Sequence, residues 1–186
     1  SKELGYRYTD NDWNFDLSLF HTDSRNVAII KPTFTGTAFN LDFVSSGKLA
    51  TYGGEAVVKW QPLSKFSTEV GYSVTSYKYD LPTGTLPAIG SDSYLRQILT
   101  KANITLTKKH SLSFVYRIEN GDAYDTNDFS VMDLTWNWQA SRSVLFSLTG
   151  NNLLYGKHLE YDNTNETYTV PTYIEPSYLA KLTVKF

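Results

Sequence analysis

The sequence contains no cysteine, one methionine and three histidines in 186 residues. Without cysteine there is no disulfide frame and no thiolate metal site. No stretch approaches the roughly 18 uninterrupted apolar residues of a membrane helix, so helical spanning is excluded. The formal charge is only −2, which leaves no global field to attract nucleic acid. Lys108, Lys109 and His110 form one basic turn and not a binding patch. Ser1, Lys2 and Glu3 open the chain with no apolar leader segment. The expectation is a chain that was processed before position 1 or cut out of something longer.

Aromatic residues, in contrast, are abundant, with Tyr 14, Phe 10 and Trp 4. They favour strands, and period-2 alternation runs through most of the chain. Tyr178, Ala180, Leu182, Val184 and Phe186 share one face of the last strand, with Lys181, Thr183 and Lys185 opposite. Alternation in the same style predicts strands over 4–8, 13–20, 55–60, 66–75, 97–106, 111–119, 131–138 and 144–151. Polar faces carry Arg7, Asp16, Glu55, Lys59, Glu69, Lys101, Arg117 and Asp133, which suits a wet or plugged lumen. Apolar faces end in aromatics near the turns (Tyr8, Trp13, Trp60, Phe66, Trp136, Trp138), where rings belong at a headgroup level. A mean hydropathy of −0.34 does not exclude a membrane, because a barrel hides its hydrophobicity by alternating it.

The connections carry the organisation. Short turns at Thr9–Asn11, Gln61–Lys65, Lys108–His110 and Gln139–Arg142 alternate with longer, irregular connections at His21–Asn40, Tyr79–Ser93, Asn120–Asp128 and Leu153–Glu175. Outer-membrane barrels show this asymmetry, with short periplasmic turns and long extracellular loops. Phe186 then ends at the periplasmic rim. Nine strands put the first one in the same downward direction as the last, whereas a complete bacterial barrel has an even number. The expected fold class is therefore all-β: an antiparallel up-and-down transmembrane β-barrel segment of about nine strands, part of a larger barrel.

Several segments now bear comparison with a known family. Trp13–Asn26 (WNFDLSLFHTDSRN), Leu49–Trp60 (LATYGGEAVVKW), Gln61-Pro62, Leu148–Leu154 (LTGNNLL) and Tyr178–Phe186 follow one another in order. Together they resemble the C-terminal barrel region of TonB-dependent outer-membrane receptors over essentially the whole chain. That resemblance implies a 22-strand barrel of which residues 1–186 are the C-terminal part, with the plug domain and earlier strands absent. It implies energy-coupled uptake of a scarce nutrient such as an iron-siderophore, haem, cobalamin or a glycan, in the outer membrane of a Gram-negative bacterium. The implied partners are outer-membrane lipid and lipopolysaccharide, the rest of the barrel and plug, TonB only through that plug, and the small-molecule nutrient. Tyr178, Leu182, Val184 and Phe186 would form the C-terminal assembly signal. Pro176 and Ser177 stand where the family usually has an arginine.

No catalytic, metal or cofactor site is expected. His110 lies at the opposite rim from His21 and His158, so a three-histidine centre is geometrically implausible. His158 with Glu160 and Asp162 could make a weak cation contact. His21 with Asp23, or His158 with Asp162, could imitate a rim general base, but no Gly-x-Ser-x-Gly accompanies them. Gly53-Gly54 reads as a strand kink. Candidate ligand contacts in the outer loops are Tyr79, Tyr124, Tyr155, His158, Tyr161 and Tyr168, with Tyr77 and Tyr173 nearby. Tyrosine offers a rigid face and a hydroxyl at low entropic cost. Asp80, Asp92, Asp122, Asp125 and Asp128 could hold divalent cations that bridge lipopolysaccharide. A self-contained small outer-membrane barrel, structural or protease/lipase-like, and a soluble β-rich binding module are the alternative readings.

Overall fold

The computed structural model describes residues 1–87, 92–121, 128–154, 156–160 and 172–186. The strands are β1 (Lys2–Thr9), β2 (Trp13–Thr35), β3 (Ala38–Leu63), β4 (Phe66–Asp80), β5 (Leu86–Pro87), β6 (Ser93–Thr105), β7 (His110–Gly121), β8 (Phe129–Gln139), β9 (Val144–Asn151), β10 (His158–Leu159), β11 (Tyr173–Ile174) and β12 (Ser177–Val184). Nine of them form one antiparallel sheet in the order β1-β2-β3-β4-β6-β7-β8-β9-β12, so almost every stave pairs with its neighbour in sequence. The nine expected strands are these nine. β4, β6, β7 and β8 run 15, 13, 12 and 11 residues, which meets the roughly 9–11 residues of a transmembrane strand.

Register places the alternating residues on two continuous faces. Trp13↔Trp60, Phe15↔Val58 and Leu17↔Ala56 line one face, continued by Phe66↔Ile104, Leu112↔Trp136 and Leu182↔Phe146. We call this the outer face. On the inner face Arg7 pairs with Asp16, and Glu69 lies 3.2 Å from both Lys59 and Lys101. Among the described residues no second layer packs on the outer face. The chain exposes 13147 Å², whereas a compact monomer of 21.1 kDa would expose about 9,000 Å². Ile29, Phe129 and Val131 are the only buried apolar residues among those described, while Leu4, Tyr6, Leu179 and Leu182 are more than half exposed. A single layer with one apolar face is stable only where the medium itself is apolar. β1 and β12 do not pair with each other, so the sheet is open at both edges.

Two features bear on the expectations above. His21–Asn40 is not an irregular connection: β2 and β3 continue through it as one hairpin, closed at Gly36 with φ 62°. Its phase shifts at Asn26 (φ 58°) and Ser46, so that Arg25↔Lys48 is followed by Val27↔Gly47 and then Ala28↔Ser45. Those two bulges, with Pro32 beyond them, disguise the alternation. Above them Ile30, Pro32, Phe34, Phe39, Leu41 and Phe43 share the outer face. Ile29 faces inward, fully buried, where a Cβ on Gly47 would meet its Cγ2 at 2.6 Å and Leu81 Cδ2 at 3.2 Å. β5 adds to the free edge of β2 at Ile29 and Ile30. Second, Gly53 and Gly54, expected to mark a strand kink, lie in unbroken register and so form no bulge. A Cβ on Gly53 would stand 2.1 Å from the Val74 carbonyl and 2.8 Å from Phe20 Cζ, so close approach of the neighbouring strand demands glycine there.

Candidate functional site at the long-connection rim

Apart from Ile29 and small glycines, burial concentrates in one place: Phe129, Val131, Glu119, Asn152 and His158, at the long-connection end of β7 and β8. The local cause is a mismatch of strand lengths. β8 pairs with β9 only from Leu134↔Gly150 onward, which leaves the Phe129–Asp133 edge of β8 without β9. The chain leaves β9 through Asn152 in a left-handed conformation (φ 54°), one that Asn tolerates better than most residues. Its N–H donates to the Asp133 carboxylate at 2.9 Å, and its Nδ2 donates to the Ile174 carbonyl at 3.1 Å. Leu153 N–H donates to the Met132 carbonyl at 2.8 Å. The last connection is thereby pinned over the exposed end of β8, where β10 and β11 pair as His158↔Ile174 and Leu159↔Tyr173.

The pinned segment makes a polar and aromatic cluster. The His158 ring lies on Phe129, with centroids 4.7 Å apart, and His158 Nε2 is 3.3 Å from Glu160 Oε1. The same oxygen pairs with the Arg117 guanidinium, which sits 5.5 Å from the centroid of the Phe129 ring. Gln97 Nε2 donates to Glu119, and Ser73 Oγ lies 3.5 Å from Gln97 Oε1. A polar ladder thus crosses β4, β6 and β7 on the inner face. Among the described residues Asn152 Oδ1 and His158 Nδ1 are buried without a hydrogen-bond partner, the kind of residual polarity that a ligand or water commonly satisfies. Beside them opens a cleft of about 600 Å³, where Tyr116, Ile118 and Ser130 of the outer face meet Asp128, Phe129, Lys157, His158, Leu159 and Tyr173. Lys157 Nζ stands 4.4 Å over the Tyr173 ring. An apolar floor, a cation on an aromatic face and an imidazole form a surface suited to planar or anionic groups.

Of the sequence candidates, His158 is in this cluster and Tyr173 lines its cleft. Tyr79 is not: it lies on β4 opposite Leu49, and its N–H donates to the Asp92 carboxylate at 2.6 Å. Tyr124, Tyr155, Tyr161 and Tyr168 lie outside the described residues, as do Asp122, Asp125 and Asp162. His21 and Asp23 are 3.4 Å apart but far along the sheet from His158. No group of three or more His, Asp or Glu side chains suited to a metal ion occurs among the described residues. Tyr178, Leu182 and Val184 lie on the outer face of β12, paired to Gly150, Phe146 and Val144; Phe186 follows the strand. Sequence reasoning missed Arg117, Phe129 and Asn152 as site residues. The one local signal was Asn151-Asn152 at a strand end.

No protein-family model matches the chain, and no curated protein matches its sequence. Solved structures do match in shape. Over 99% of its length the chain superposes on the copper transporter OprC with TM-score 0.71 at 14% identity, covering 31% of that protein. The ferric-catecholate import receptor Fiu from K12 E. coli matches over 99% of this chain with TM-score 0.72 at 18% identity, covering 27% of that chain. The ferric yersiniabactin uptake receptor FyuA from Yersinia pestis gives 0.67 at 18% over 99% of this chain and 29% of its own. The chain thus spans about a third or less of the length of each. The fold is that of a barrel-wall segment of outer-membrane receptors.

Proposed function

We propose that the chain is the C-terminal wall segment, residues 1–186, of a TonB-dependent receptor in a Gram-negative outer membrane. The intact 22-strand receptor would take up a scarce nutrient (an iron-siderophore, haem, cobalamin or a glycan), with energy reaching it from TonB through the plug. The observation that carries this reading is a nine-strand antiparallel sheet whose apolar face has no cover among the described residues. Copper, ferric-catecholate and ferric-yersiniabactin transport by proteins of like fold supports it. The open edges agree with it, because each unpaired main-chain group in hydrocarbon costs several kcal/mol. Further staves would satisfy β1 and β12. In this reading the segment does no chemistry. It supplies wall, the polar inner face toward the plug, and contacts with the nutrient from the outer loops, His158 among them. Tyr178, Leu182, Val184 and Phe186 would act as the signal read during assembly.

The absence of cysteine makes the test clean. Single substitutions Val58→Cys, Leu112→Cys and Leu182→Cys on the outer face, and Lys59→Cys, Ser113→Cys and Ser147→Cys on the inner, are spin-labelled in the bilayer-reconstituted chain. Outer positions should collide with dissolved oxygen and inner ones with a water-soluble nickel chelate. Equal access of the chelate to both faces refutes the membrane reading.

A further inference from the structure

The short-turn end of the outer face carries all four tryptophans. Trp13 stacks on Trp60 at 5.1 Å, and Trp60 meets Phe66 edge-on at 6.0 Å. Farther along, Trp136 lies against Trp138 at 6.5 Å and Phe146 at 6.1 Å. Just beyond this row the turns present Lys65, Lys108, Lys109, Arg142 and, after β12, Lys185, all exposed. Among the described residues none of these cations has an ion-pair partner, and from Gln61 onward the short turns hold no Asp or Glu. The acidic turn, with Asp10 and Asp12, lies at the other edge.

Main-chain bonds tie these turns into a row. Thr105 N–H donates to Lys65 O at 2.8 Å, Gln139 N–H to Lys109 O at 2.8 Å, and Lys185 N–H to Ser143 O at 2.9 Å. His110 joins the two layers: its ring lies parallel to Trp136 and Trp138, at 5.6 and 6.3 Å. A cationic rim directly beyond a tryptophan row matches a molecule with an anionic head and apolar tails. Free phosphate would use the rim alone and leave the rings without an apolar partner.

We propose that this collar, from Lys65 to Lys185, selectively holds anionic phospholipids, with phosphates on the turns and acyl chains over the tryptophans. The inference rests on the outer face being the lipid face. Because Trp136 and Trp138 lie in the collar and Trp13 and Trp60 beside it, intrinsic fluorescence reports the lipid at that rim. The chain is reconstituted in phosphatidylcholine containing a minority of phosphatidylglycerol, with brominated tails on one lipid or the other. Brominated phosphatidylglycerol should quench beyond its mole fraction. The preference should fall about fivefold per cation removed in Lys108→Gln, Lys109→Gln and Arg142→Gln, at unchanged strand content by circular dichroism. High salt should abolish it, and Lys31→Gln at the far hairpin should leave it intact. Quenching by both lipids in proportion to their amounts overturns the collar while the membrane reading stands. A preference untouched by the three substitutions also overturns it. No quenching by either lipid overturns both.

Discussion

At the short-turn end, Trp13 meets Trp60 across one hairpin and every turn is closed by a few residues. At the other end, His158 reaches Phe129 and Glu160 reaches Arg117 from a distant connection. The first end is built from local alternation and rigid rings, exposes cations and buries almost nothing. The second is assembled from β6, β7, β8 and the last connection, and it holds most of the burial among the described residues. A barrel wall needs little core because lipid acts as one. Here burial accumulates where the last connection is pinned to the end of β8.

If the ends are independent, damage at one should not reach the other. The largest effect is expected from Asn152→Leu. It removes the bond to Ile174 and puts an unfavourable residue at φ 54°, a loss of about 2–3 kcal/mol in local opening free energy. Amide exchange at 157–160 and 173–174 should accelerate, with 98–104 unchanged. Equal acceleration across the wall would show one cooperative unit and end the comparison. Arg117→Met should have a smaller effect at the same amides, about 1 kcal/mol, since both ion-pair partners are about a third exposed and screened. The smallest is Trp60→Leu at the opposite end. Loss of its ring contacts with Trp13 and Phe66 costs about 0.5–1 kcal/mol, with no change in exchange at 157–160.

The wall was legible because the period of 2 needs only neighbours in sequence. Leu112, Phe114 and Tyr116 declare their face without reference to anything distant. The β2–β3 hairpin was not, because Asn26 and Ser46 each insert one residue and shift the phase. Arg117 and Glu119 looked like ordinary lumen positions, and Phe129 fell between the long connection and the strand expected over 131–138. Their grouping with His158 depends on how far β9 falls short of β8, and no local pattern encodes that. Asn152 showed only a weak preference for a left-handed backbone.

The two bulges in the long hairpin lie on opposite strands, so their offsets cancel. Arg25↔Lys48 below and Ala28↔Ser45 above are also the pairs of a ladder with no bulge at all. What differs is the direction of everything above them. In a regular ladder Phe34, Phe39 and Phe43 would stand on the inner face, with Ile29 and Lys31 outside. Removing both bulges would turn the tip of the hairpin over without altering its length or the pairing from Ala28↔Ser45 onward. Its orientation is set by two extra residues, Asn26 and Ser46, the first at positive φ.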